Sequence, residues 1–109
     1  MINRRIRRAL DAVANRYQER LSVDDLAAEA GMNRFSFLRA FRAAIGTSPY
    51  QYLTAFRLDR AAEQLRASEE ASVLDIALAC GFTDPSRFAQ AFRTRYGRTP
   101  RHYRVRAAG

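Results

Sequence analysis

The 109-residue sequence contains no lysine, one cysteine, one histidine, three prolines and five glycines. Each shortage excludes something. So few prolines and glycines leave little for a β-rich fold built on tight turns. A lone Cys80 forbids an internal disulfide, and with only His102 beside it no Cys/His metal cluster can be assembled, so no metal or cofactor is expected. The opening stretch, residues 1–14, is too charged and its apolar part too short for a signal peptide, and no apolar run approaches a membrane span. The expected setting is therefore the cytoplasm. What remains is 48% hydrophobic, enough for a core, and rich in Ala, Leu and Arg, which favour helix. The composition predicts an all-α fold.

The charge is one-sided, with 19 basic residues against 11 acidic ones and a net +8. Every basic residue is arginine, the side chain that forks onto phosphates and guanine edges. GC-rich coding alone can produce such usage, so placement carries more weight than identity. Arg34 to Arg57 holds four arginines and no acid, and Arg87 to Arg106 holds seven and no acid. One such run is an ordinary solvated face. Two at corresponding places in a repeat point to a polyanion.

The repeat has an offset of 50 to 51 residues. Ser22-Val23-Asp24-Asp25-Leu26-Ala27 through Gly31 matches Ser72-Val73-Leu74-Asp75-Ile76-Ala77 through Gly81; further on, Phe41, Arg42, Gly46, Ser48, Pro49 and Tyr52 match Phe92, Arg93, Gly97, Thr99, Pro100 and Tyr103. Each copy reads as a short helix, a turn and a longer helix. Ser22 and Ser72 are N-caps, with Asp25 and Asp75 placed for a capping box. Leu26, Ala27 and Ala30, and Val73, Ile76, Ala77 and Cys80, form the inner faces. Gly31 and Gly81 end these helices, and small Ala27 and Ala77 allow a second helix to cross closely. Phe37, Phe41 and Ile45, and Phe88, Phe92 and Tyr96, then make one apolar stripe per copy. This is helix-turn-helix spacing, twice.

A first helix carries Ile6, Leu10, Val13, Ala14 and Tyr17 at helical spacing. Ser48-Pro49 opens a long helix to about Arg66, with Tyr52, Leu53, Phe56, Ala61 and Leu65 inward. Thr99-Pro100 opens a short closing helix with Tyr103 inward. The expected organisation is seven helices: a subdomain over 1–47, a linker helix over 48–67 and a second subdomain over 68–109. Roughly 19 linker residues span about 28 Å at 1.5 Å each, against about 34 Å between successive major grooves on one face of B-DNA. Some bending of the DNA is expected if both copies engage.

The run Ile76-Ala77-x-x-x-Gly81-Phe82-x-Asp84-x-Ser86-x-Phe88-x-x-x-Phe92-x-x-x-x-Gly97-x-x-Pro100-x-x-Tyr103-Arg104 closely resembles the signature of the AraC/XylS family of bacterial transcription regulators. The resemblance extends over about residues 5 to 104. It implies a homeodomain-like all-α fold with two helix-turn-helix subdomains, a rigid joining helix, and two recognition helices in successive major grooves of promoter DNA. It also implies activation as the commoner role, RNA polymerase as a partner, and a nucleoid location. Phe35 and Leu38 stand where polar base readers are more usual. Many members also have a separate sensing domain, for which 109 residues leave no room. The chain is expected to be a short regulator controlled by its own abundance, or a DNA-binding domain from a longer protein.

With the aromatic stripes buried, the outward residues are Arg34, Phe35, Leu38, Arg39 and Arg42 in the first copy and Ser86, Arg87, Gln90, Arg93 and Thr94 in the second. N-terminal turns of a recognition helix meet base edges. Arg34, Arg39, Ser86 and Arg87 are candidate base readers, Arg39 and Arg87 for guanine; Gln90 suits adenine, and Phe35 or Leu38 a thymine methyl. Phosphate contact is the alternative for the arginines, and packing against a neighbouring helix for Phe35 and Leu38. Arg42, Arg93 and Thr94, farther along, suit phosphate, as do the helix starts at Ser48 and Thr99, unless those two act as plain caps. Cys80 reads as a core thiol. His102 has no partner at catalytic spacing, and Asp24-Asp25 and Glu69-Glu70 are adjacent in sequence, so neither pair shares a helix face; no enzyme is expected. Because the copies differ, an asymmetric site bound by a monomer is expected. Rival readings are a sequence-neutral nucleoid-type binder, a module contacting RNA polymerase, and a cationic membrane-surface helix. The last is disfavoured because the arginines are spread over several helices.

Overall fold

The computed structural model describes residues 2–108, with side chains described through Val105. These residues form α1 (Arg4–Arg16), α2 (Val23–Glu29), α3 (Arg34–Ile45), α4 (Pro49–Ala67), α5 (Val73–Ala79), α6 (Pro85–Tyr96) and α7 (Pro100–Ala108). No strand occurs among the described residues, and no helix is long and apolar enough to cross a membrane. The chain divides into two compact units between Phe56 and Arg57, inside α4. The first half of α4 thus packs with α1–α3, and its second half with α5–α7.

Local chemistry sets the helix ends. Asn3 caps α1 by accepting from the Ile6 amide. Ser22 and Asp25 exchange bonds at 3.0 and 2.9 Å, a complete capping box, whereas Ser72 accepts from the Asp75 amide at 2.9 Å in the second copy. Both turns close identically. The Gly31 and Met32 amides donate to the Ala28 and Ala27 carbonyls; those of Gly81 and Phe82 donate to Leu78 and Ala77. This double bond pattern needs a left-handed residue at its corner, and Gly31 and Gly81 supply it with φ of +67° and +100°. It turns the chain sharply into α3 and α6.

In the first unit Ile6, Ala9, Val13, Leu26, Ala27, Ala30, Phe37, Phe41 and Leu53 are buried together. Tilted and edge-on ring contacts run from Phe37 to Phe41 (5.6 Å between centroids) and on to Tyr52 (5.7 Å), geometries favoured by ring quadrupoles. The second unit buries Leu58, Ala61, Ala62, Leu65, Ile76, Ala77, Cys80, Phe88 and Phe92. Ala14, expected inward, is exposed; Ala9 and Ala12 take the inner positions because the buried stripe of α1 is centred on Ile6 and Val13. Leu58 and Ala62 belong to the core although neither was expected there.

Polar ties complete the second unit. Arg95 binds both carboxylate oxygens of Asp59, at 2.8 and 3.0 Å, and the Tyr96 hydroxyl donates to the same carboxylate. Arg104 donates to the carbonyls of Leu65 and Ala71, and Arg66 to the Tyr103 hydroxyl. Cations there neutralise the negative end of α4.

Candidate nucleic-acid interface

Burial of one stripe along successive turns of α3 and α6 decides which side chains are presented. Phe37 and Phe41 are fully inside, as are Phe88 and Phe92. On α3, Arg34, Phe35, Arg39 and Arg42 are therefore exposed, and on α6, Ser86, Arg87, Gln90, Arg93 and Thr94 are exposed. Phe35 is 76% exposed, a large apolar ring left in water. Leu38 differs from its expected outward placement: it is half-buried at the border of the stripe.

The entrance to each helix is fixed by its cap. Asn33 accepts from the Ser36 amide, and Asp84 accepts from the Ser86 and Arg87 amides. Arg34 is held by Asp24 at 3.2 Å, which ties the start of α3 back to α2. Arg87 lies 3.6 Å from Asp84, a looser pair in which the arginine side chain is 82% exposed. At such exposure the pair contributes little to stability and leaves Arg87 able to exchange partners. Arg39, Arg42 and Arg93 have no ion pair within the chain among the described residues. Their charge is unspent.

Three expected phosphate contacts have other engagements. The Thr94 hydroxyl donates to the Gln90 carbonyl at 3.0 Å, which commits its hydrogen to the helix. Ser48 and Gln51 form a reciprocal cap at 3.1 Å each way, and Thr99 accepts from the His102 amide at 3.2 Å. Since Pro49 has no N–H, few free amides remain at the start of α4. The sequence reading missed the Asp24–Arg34 and Asp84–Arg87 pairs, although Asp24 and Arg34 stand in the first turns of adjoining helices and Asp84 caps α6 three residues before Arg87.

Cys80 is buried, and burial pushes its thiol up, away from reactivity. Among the described residues no group of three or more His, Cys, Asp or Glu is placed to hold a metal ion. The arginines, Ser86 and Gln90 on the exposed faces of α3 and α6 suit recognition of an anionic, hydrogen-bonding surface.

Residues 26–106 match the family described as a helix-turn-helix domain. Curated relatives include an HTH-type transcriptional regulator of Haemophilus influenzae, 37% identical over 102 residues, and the transcriptional activator RhaS of Yersinia pestis, 34% identical over 100. These alignments cover 94% and 92% of this chain but 34% and 36% of the relatives, so the chain spans about a third of their length. Among solved structures, an AraC-type regulator from Chromobacterium violaceum is 33% identical with a TM-score of 0.86, covering 95% of this chain and 92% of that one. The DNA-binding domain of AdpA, described as a global transcriptional factor and solved with a target DNA, is 33% identical with a TM-score of 0.87, covering 94% and 92%. Twin capped turns, twin aromatic stripes and these similarities agree: the chain belongs to the AraC-type family of helix-turn-helix DNA-binding domains.

Proposed function

We propose that this chain binds double-stranded promoter DNA sequence-specifically and regulates transcription, with α3 and α6 reading successive major grooves of an asymmetric site. The observation that carries the reading is the pair of acid-free outer faces, Arg34, Phe35, Arg39 and Arg42 on α3 and Ser86, Arg87, Gln90 and Arg93 on α6. A purely charge-driven binder has no use for an exposed phenylalanine or an amide such as Gln90 between arginines; base edges and methyl groups do.

Arg39 and Arg87 take guanine, Gln90 adenine, and Phe35, with Leu38 at its edge, a thymine methyl. Arg34 and Ser86 adjoin them at the helix entrances. Arg42 and Arg93 clamp phosphates, joined by Thr94 once its hydroxyl rotates off Gln90, and by the capped helix starts at Ser48 and Thr99. The protein acts in the bacterial cytoplasm on nucleoid DNA, as a monomer, and contacts RNA polymerase; activation is supported by its likeness to the activator RhaS. Selection of bound duplexes from a random pool is the test. A two-part, non-palindromic motif is expected, and recovery of no motif from a pool that still binds would favour a sequence-neutral binder.

A further inference from the structure

The first turns of α1 carry Arg4, Arg5, Arg7 and Arg8, all exposed, and no acid. Cations at a helix N-terminus face the positive end of the backbone dipole, so this placement works against α1. The seven-residue helices do the opposite: α2 opens on Asp24 and Asp25, and α5 on Asp75, while α3, α6 and α7 have no first-turn acid but none gathers four arginines at its start. Among the described residues none of the four arginines has an ion pair within the chain. Ile6, Ala9 and Val13 hold the opposite side of α1 in the core, so the charge points outward as one patch. Apart from Arg5, which bonds to the Gly31 carbonyl, folding does not account for it.

Its location does. Arg5 donates to the carbonyl of Gly31 at 3.2 Å, in the turn that leads into α3, three residues before Arg34. The patch is therefore continuous with the entrance of the first recognition helix. The walls of a major groove are its two phosphate strands, so whatever borders the entrance of a helix lying in that groove faces phosphate.

We propose that Arg4, Arg7 and Arg8, with Arg5 fastening α1 to the Gly31 turn, form an additional clamp on the phosphates flanking the half-site read by α3. The clamp rests on the DNA-binding reading above, and it adds affinity and salt dependence without adding sequence information. It extends the bound length of DNA on one side only.

The test compares the chain with its R4Q/R7Q/R8Q variant on the selected site. One duplex has about 10 base pairs, one helical turn, beyond each half-site, and a second is trimmed flush on the α3 side. On the long duplex the variant should show a log–log salt slope about 2 to 3 shallower, at about 0.9 per phosphate lost. Its base preferences should be unchanged and its melting midpoint no lower. Trimming should weaken the unaltered chain and leave the variant unaffected. An unchanged slope in the variant, while the parent binds as proposed, overturns the clamp alone and leaves the patch to another partner. A lower midpoint or altered base preference also overturns it, because the arginines then serve folding or the placement of α3. If the parent itself shows no preference for the selected site, the DNA-binding reading fails and the clamp fails with it.

Discussion

Arg87 and Arg93 lie six positions apart on one exposed face of α6, yet they should behave differently when removed. Arg87→Ala is expected to cost about 1–3 kcal/mol on the preferred site and to relax specificity at one position. Arg93→Ala should weaken every sequence by a similar factor. Titrations on a panel of single-base variants distinguish the two, and parallel losses across the panel would refute the division into base and phosphate contacts. Tyr96 supplies a separate check by pH. Burial, followed by the Asp59 carboxylate, pushes its hydroxyl up to about 12, from an ordinary value of 10.0. The folded chain holds this proton more tightly than the unfolded one, so the resulting stability is complete below pH 10 and disappears as pH rises through about 12. Asp59 has the opposite sense. Burial raises it, but hydrogen bonds from Arg95 and Tyr96 outweigh burial and hold it below the ordinary carboxylate range. Its contribution is present above that range and is lost on acidification below it. Tyr96→Phe should flatten the alkaline limb of a stability–pH curve and weaken, without abolishing, the acid limb, which Arg95 still supports.

At the level of elements, the two glycine corners are joints where a side chain is costly, because both have positive φ. A Cβ on Gly31 would meet nothing within 4 Å, so the cost of Gly31→Ala comes from its φ of +67° alone. About 1–2 kcal/mol is expected in thermal or urea unfolding, with Gly31→Asn costing less. Ser22→Ala, which breaks the complete capping box, should cost about 0.5–2 kcal/mol. These elements were legible because their signals are local: a serine cap, a glycine stop and a Ser-Pro start each act within four residues. The unaligned parts of the pattern were less so. Ala14 looked inward because alanine suits either face, and only the packing of α2 and α3 against α1 selected Ala9 and Ala12. The outer faces of α3 and α6 followed from burying Phe37, Phe41, Phe88 and Phe92, and this is why most of the candidate interface could be named in advance. Asp59 with Arg95, and Arg104 with the Leu65 and Ala71 carbonyls, could not be paired beforehand, since each joins residues more than thirty positions apart and no spacing rule links them. The bond from the Thr94 hydroxyl to its own helix was not legible for a simpler reason: nothing in a sequence tells whether a threonine turns toward solvent or its own backbone.

For the whole molecule, DNA affinity should fall steeply with salt. About five to eight phosphate contacts imply a log–log slope of about −4 to −7, and a slope shallower than about −2 would exclude the proposed interface. If both recognition helices engage one duplex, inserting about five base pairs, half a helical turn, between the half-sites should remove the contribution of one of them. An unchanged footprint after insertion means that one unit reads DNA alone. The solitary cysteine gives the second unit something the first lacks. Cys80 is inaccessible in the core beside Ile76 and Ala77, and the first unit has no thiol at all. A thiol reagent can therefore reach the chain only when the second unit opens. Its rate of modification is a clock for that one half, undisturbed by whatever the other half is doing. Timed with and without DNA, the same atom would report how far a duplex steadies the unit that holds it.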